Sequence, residues 1–172
     1  MRRFISPLTF AFIAFSVAAS AQVAPVSRAP AIPPATPILA HNGMVVAQES
    51  RAARIGVEML DRGGNAVDAA VAVGFALAVT YPRAGNIGGG GFMVIHLAKS
   101  DRNLENLDTA IDYRETAPAA ATTNMFLDGR GEPDPAKSRD SALSIGVPGT
   151  VAGLALAHAK YGSGKLTLAE LI

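Results

Sequence analysis

Asn86 to Ala98 reads NIGGGGFMVIHLA, and the run Gly88 to Gly91 within it decides the fold, because glycines there either cradle a ligand's phosphate or make room for the chain itself. A dinucleotide-binding loop runs from a strand through its glycines into a helix whose N-terminus receives the pyrophosphate. Here the order is reversed. The apolar run AAVAVGFALAV (Ala69 to Val79) precedes the glycines and stops before Pro82, while FMVIHLA follows with the branched, apolar character of a buried strand. Contiguous glycines also cannot complete a G-x-G-x-x-G. Gly85 and Gly88 to Gly91 therefore read as a tight helix-to-strand connection, with room for another backbone segment to cross closely.

Working outward, GMVVAQ (Gly43 to Gln48) is a short strand candidate, and Ser50 caps a helix in which Ala52, Ile55, Gly56, Met59 and Leu60 share one face. Gly63 and Gly64 stop it. Asn65 caps a second helix, with Asp68 placed three residues on like the acidic partner of a capping box. The run that follows has no polar face, which predicts burial on all sides; it is too short to span a bilayer and is bounded by Asp68 and Pro82.

With 172 residues, 49% hydrophobic and 17% charged, the chain can bury one ordinary core. Arg2 and Arg3 precede the apolar run FAFIAFSVAA and then ASA (Ala19 to Ala21), the pattern of an export signal over residues 1–21 cleaved before Gln22. Its loss turns the formal charge from +1 to −1, so no nucleic-acid or polyanion partner is implied. Residues 22–40, rich in proline and alanine, read as an extended linker, and the domain proper is expected over residues 41–172. Without cysteine there is no disulfide, thiolate metal site or cysteine nucleophile.

Gly164 and Lys165 resemble the end of a P-loop, but Ala159 and Leu166 stand where that motif needs a glycine and a hydroxyl, so a turn is expected. FLDGRGEPDP (Phe126 to Pro135) hints at a calcium loop, but Pro133 takes the glycine position and Arg130 a ligand position; it reads as an exposed loop. His41, His96 and His158 have no paired ligand spacing, and neither a metal nor a cofactor is expected. In TAIDYRETAPAAAT (Thr109 to Thr122), Ile111 and Tyr113 alternate with Asp112 and Arg114 as in a half-buried strand. Arg114, at a strand end before Pro118, suits a carboxylate held through two parallel hydrogen bonds; the structural alternative is an ion pair with Asp112 or Glu115.

Four long stretches together resemble the gamma-glutamyltranspeptidases, or glutathione hydrolases, of the N-terminal-nucleophile hydrolase superfamily. They are Gly63 to Leu97, AIDYRETAP (Ala110 to Pro118), MFLDGRGEPDP (Met125 to Pro135) and GVPGTVAGLALAHAKYG (Gly146 to Gly162). The resemblance implies a mixed α/β (α+β) fold, the αββα four-layer sandwich, of which the chain carries the N-terminal portion of the large subunit. It also implies a periplasmic or secreted enzyme that transfers the gamma-glutamyl group of glutathione, or of another gamma-glutamyl compound, to water or to an amino acid or peptide. In such enzymes the precursor cuts itself into a large and a small subunit that pair as a heterodimer, and the new N-terminal threonine is the nucleophile. By this similarity Arg114 grips the donor's alpha-carboxylate.

The resemblance places the nucleophile beyond residue 172, which makes Thr122, Thr123 and Thr150 structural, the last as the cap of VAGLALAHAKY. TLAE (Thr167 to Glu170) has the form of a capping box opening a helix that the chain does not continue, and the polypeptide is expected to be inactive alone. Two other readings remain open: an exported binding module for a small carboxylate, and a related cephalosporin or glutaryl acylase.

Overall fold

A computed structural model describes Pro34, residues 36–99 and residues 105–172. The expected signal segment lies outside these residues, as does most of the expected linker. The chain divides after Ile38, and Leu39–Ile172 is one compact unit.

Helix α1 (Ser50–Asp61) begins one residue earlier than the serine cap predicts. Glu49 is the cap: its backbone is extended and its carboxylate accepts the amides of Arg51 at 3.0 Å and Ala52 at 3.1 Å, leaving Ser50 inside the helix. Burial pushes the Glu49 carboxyl up, but those two amides, the Thr80 hydroxyl and the Arg51 charge together hold it below its ordinary 4.5. Ala52, Gly56 and Met59 are buried and Ile55 and Leu60 half-buried, the expected face. At its end Gly64 donates to Met59 O and Gly63 to Leu60 O, both at 2.9 Å, and Gly63 has a φ of +86°, so the helix closes in a left-handed cap only glycine adopts freely.

Helix α2 (Ala66–Thr80) starts with the expected capping box. Asn65 Oδ1 accepts from Val67 and Asp68, and Asp68 Oδ2 accepts from Asn65 N at 3.0 Å. The expected all-round burial does not hold. Val67, Asp68, Ala69, Val71 and Ala72 are buried, but the second half is only partly covered and Val79 is 81% exposed. Among the described residues, α1, the later helices and the sheet cover the first half of α2 more fully than its second.

Strands β1 (Phe92–Leu97) and β2 (Leu107–Asp112) pair antiparallel, with Phe92 opposite Asp112 and Leu97 opposite Leu107. β1 is not buried on both faces as its composition predicts. Met93, Ile95 and Leu97 turn toward α2, while Phe92 and Val94 are exposed, because one helical layer covers one face. Gly43–Gln48 is not a strand either: Val45 and Ala47 are half-buried and Met44 and Val46 exposed, an extended alternation with no ladder partner among the described residues.

After a short helix α3 (Pro135–Arg139) and a 3-10 turn (Ala142–Ser144), α4 (Thr150–Tyr161) packs against α2. Thr150 is its first residue, not its cap. Gly149 takes the cap position with no side-chain bond, and the amides of Gly149 and Thr150 donate instead to Gly89 O at 2.9 and 3.1 Å. A turn through Gly164 (φ +72°) leads to α5 (Leu168–Leu171).

Glu170 Oε2 accepts the Thr167 amide and hydroxyl at 2.8 Å each, the expected return contact of the box. These two bonds, then the Arg62 charge, outweigh burial and hold the Glu170 carboxyl below its ordinary 4.5. A depressed folded value stabilises the fold above the unfolded value and ceases to do so as pH falls through the folded one. We therefore expect the Thr167 amide to lose hydrogen-exchange protection relative to the α2 amides below about pH 4.5, and Glu170→Gln to remove that dependence.

Candidate functional site

The candidate site is built where β2 runs out. Beyond Asp112 the ladder continues irregularly: Tyr113 N donates to Gly91 O at 3.0 Å, and Thr116 and Val147 exchange both backbone bonds, at 3.3 and 2.9 Å. Residues 113–116 are thereby held between Gly89–Gly91 on one side and Val147–Gly149 on the other. The glycines make this approach possible. A Cβ on Gly90 would stand 2.5 Å from Tyr113 O and 2.7 Å from Glu115 N, one on Gly149 would overlap Tyr113 O, and one on Gly153 would overlap the Tyr113 side chain. The glycine run makes room for a backbone crossing, as its sequence order predicts.

Arg114 sits at the centre of this crossing. Its amide donates to Asp112 Oδ1 at 3.0 Å, so Asp112 holds the backbone and not the guanidinium. Nε stands 3.9 Å from Glu115 Oε2, with the two side chains 70% and 39% exposed, a solvent-screened pair of little strength. Among the described residues the guanidinium has no hydrogen-bonded partner. It borders a cavity of about 610 Å³ whose other walls include Glu115, Phe126, Leu143 and Ile145. This arrangement can take a carboxylate: a planar fork at the rim, one weak internal competitor, and an apolar wall for the remainder of the ligand.

The wall is itself fixed locally. Asp128 accepts the amides of Arg130 at 2.8 Å and Glu132 at 2.9 Å, and Gly131 (φ +83°) completes the turn. The Glu132 and Arg130 amides hold the Asp128 carboxyl below its ordinary 3.8. Lys137 Nζ donates to Leu127 O at 2.5 Å, tying the turn to α3. The segment expected to be an exposed loop is one: residues 129–133 are exposed, and it folds as a turn beside Phe126. Burial raises the Tyr113 hydroxyl above its ordinary 10.0.

Thr122 and Thr123 are exposed, away from any helix or strand. The three histidines do not meet: His96 pairs with Asp108 at 2.7 Å, His158 Nε2 lies 2.9 Å from Leu166 O, and no cluster of three metal-ligating groups occurs among the described residues. A second cavity, of about 570 Å³, holds His96, Lys160 and Lys165 but no arginine fork. Sequence reasoning missed Gly149, Gly153 and Tyr113 as parts of the site. The signal available was the spacing of Gly149 and Gly153, four residues apart and hence on one helical face.

The family model described as Gamma-glutamyltranspeptidase matches residues 52–172. The glutathione hydrolase proenzyme of Escherichia coli K12 is 53% identical over 149 residues, which are 87% of this chain and 25% of that protein. The chain thus spans about a quarter of the length of such curated relatives. Among solved structures, the gamma-glutamyltranspeptidase of Helicobacter pylori superposes with a TM-score of 0.71 at 49% identity, covering 80% of this chain and 37% of that one. The gamma-glutamyltranspeptidase of Pseudomonas nitroreducens, complexed with L-DON, gives 0.68 at 47% identity, covering 77% and 37%.

Proposed function

From the premise that the chain belongs to the gamma-glutamyltranspeptidase family, we propose that it works as the matched part of a glutathione hydrolase proenzyme and supplies the residue that holds the gamma-glutamyl donor, Arg114. The observation that carries this reading is the exposed Arg114 guanidinium at the rim of the cavity, approached among the described residues only by Glu115 at 3.9 Å. A donor alpha-carboxylate displaces that weak pair and forms two parallel charge-assisted bonds. The glutamyl chain then lies along the cavity with its gamma-carbonyl presented to a threonine nucleophile contributed by sequence outside residues 1–172. The threonine's own free amine takes the hydroxyl proton as the oxygen bonds to the gamma-carbon; the gamma C–N bond breaks, the donor's amine leaves with that proton, and water or an amino acid then displaces the threonine oxygen from the gamma-glutamyl ester.

The four-layer αββα sandwich belongs to the same proposal. α2 and α4 cover one face of the β1–β2 sheet, and Phe92 and Val94, 64% and 86% exposed, are left on the other as a surface on which a second sheet can pack. The small subunit and the remainder of the large subunit are the proposed partners, and residues 1–21 are proposed to direct export to the periplasm or beyond. No described helix is long and apolar enough to cross a membrane.

The test uses the full-length protein that carries this chain. Arg114→Ala is expected to weaken binding of a gamma-glutamyl anilide by roughly 1.5 to 3 kcal/mol, the range for hydrogen bonds to charged groups, while leaving self-cleavage intact. Arg114→Lys should recover only part, because an ammonium cannot present the fork. An unchanged kcat/KM would remove Arg114 from the donor site.

A further inference from the structure

We infer that Gly90, Gly149 and Gly153 are positioning residues for the donor: the depth to which they let the Tyr113–Glu115 backbone sink sets where the Arg114 guanidinium stands. The inference rests on the reading of Arg114 as the carboxylate's partner. Among the described residues the Arg114 side chain is restrained only by the 3.9 Å approach to Glu115. Its placement is therefore inherited from its backbone, and that backbone is gripped from two directions. A Cβ on Gly90 would meet Tyr113 O, Arg114 C and Glu115 N within 2.8 Å from the β1 side, and one on Gly149 would overlap Tyr113 O from the α4 side, so neither glycine leaves room for a side chain. Gly153, one turn further along α4, receives the Tyr113 side chain in the space where its own would be. The Asp112 carboxylate then fixes the Arg114 amide at 3.0 Å.

A methyl group at Gly90 or Gly149 cannot be accommodated by a rotamer change, because the opposing atoms are backbone. The 113–115 segment must move out by roughly 1 Å to restore ordinary contact, and a two-point carboxylate clamp loses on the order of a hundredfold for misplacement of that size. The same shift leaves reaction of a donor lacking the alpha-carboxylate nearly untouched, which separates positioning from general damage to the fold.

The experiment compares, in the full-length protein, a gamma-glutamyl anilide with the corresponding 4-aminobutyryl anilide, which has no alpha-carboxylate. Gly149→Ala and Gly153→Ala are each made alone and with Arg114→Ala, beside Gly129→Ala, whose added methyl meets nothing within 4 Å. Gly149→Ala is expected to lower the preference for the carboxylated donor by about tenfold to a hundredfold, mainly through KM. In the Arg114→Ala background the same change should add less than about twofold, since the two act through one contact. Gly129→Ala should leave the preference as it was. If Gly149→Ala does not fold, Gly153→Ala, and the clash-free Tyr113→Leu that thins the side chain seated on Gly153, are expected to lower the preference in the same way. Glycine variants that fold and keep the full preference, or whose effects add in full to that of Arg114→Ala, overturn the inference. If Arg114→Ala alone leaves the preference unchanged, it is the donor-site reading that fails, whatever the glycine variants do.

Discussion

Replacing Asp68 with alanine is expected to destabilise the Leu39–Ile172 unit by about 2 to 6 kcal/mol, the cost of stranding two backbone donors at roughly 1 to 3 kcal/mol each. Asp68 is fully buried, and its Oδ2 accepts from Asn65 N at 3.0 Å and from Ser163 N at 2.9 Å, which joins the start of α2 to the turn that follows α4. Its other oxygen has no hydrogen-bond partner among the described residues; His158 Nε2 stands 3.9 Å from it. Gly162 leaves the space that oxygen occupies, since a Cβ there would lie 2.7 Å from it. Asp68→Asn keeps an acceptor for both amides and puts its NH2 where the carboxylate oxygen is already unpaired. It should therefore cost less than half as much as alanine. With no tryptophan in the sequence, urea denaturation followed by far-UV circular dichroism is the suitable readout. An alanine variant within about 0.5 kcal/mol of the parent would mean that this carboxylate does not hold the two helices together.

Leu154→Ala should cost a comparable amount, about 2 to 5 kcal/mol, through the lost transfer free energy and the cavity left at the α2–α4 interface. Leu154 is 3% exposed, and its methyl carbons stand 3.0 and 3.1 Å from where a Cβ on Gly74 would be, so the two helices meet by seating this leucine on a glycine. The converse change, Gly74→Ala, overpacks the same place and is expected to destabilise by about 1 to 3 kcal/mol. In the double variant the two costs should fall short of additivity, because the alanine at 74 fills part of the space the leucine vacates. Strict additivity in thermal or urea melts would indicate that the contact is not shared.

The sequence made the local signals legible and hid the long-range ones. The Asn65–Asp68 box, the glycine stop at Gly63 and Gly64, and the Thr167–Glu170 return contact could all be read because each involves residues within a few positions of one another. Ser50 was the wrong cap because the longer Glu49 side chain reaches the same amides from one residue earlier. Burial was misjudged for α2 and β1 for a common reason: composition reports what a surface is suited to meet, and the described residues cover only part of each. Gly43–Gln48 has the alternation of a strand but no ladder partner among the described residues, which no local pattern reveals. At the candidate site, the position of Arg114 just past a half-buried strand followed from the alternation of Ile111 and Tyr113 with Asp112 and Arg114. The squeeze on its backbone did not, because Gly90 and Gly149 are far apart in sequence and meet only through the crossing. Asp68 was visible as a capping residue, while its bond to Ser163 depended on how α4 packs.

A crystal structure of the full-length protein with a bound gamma-glutamyl donor analogue tests the central claim most directly. The account predicts the Arg114 guanidinium in two-point contact with the alpha-carboxylate, Glu115 displaced from it, and Gly90 and Gly149 still closed on the Tyr113–Glu115 backbone. A guanidinium locked on Glu115 with the analogue's carboxylate held elsewhere would contradict it.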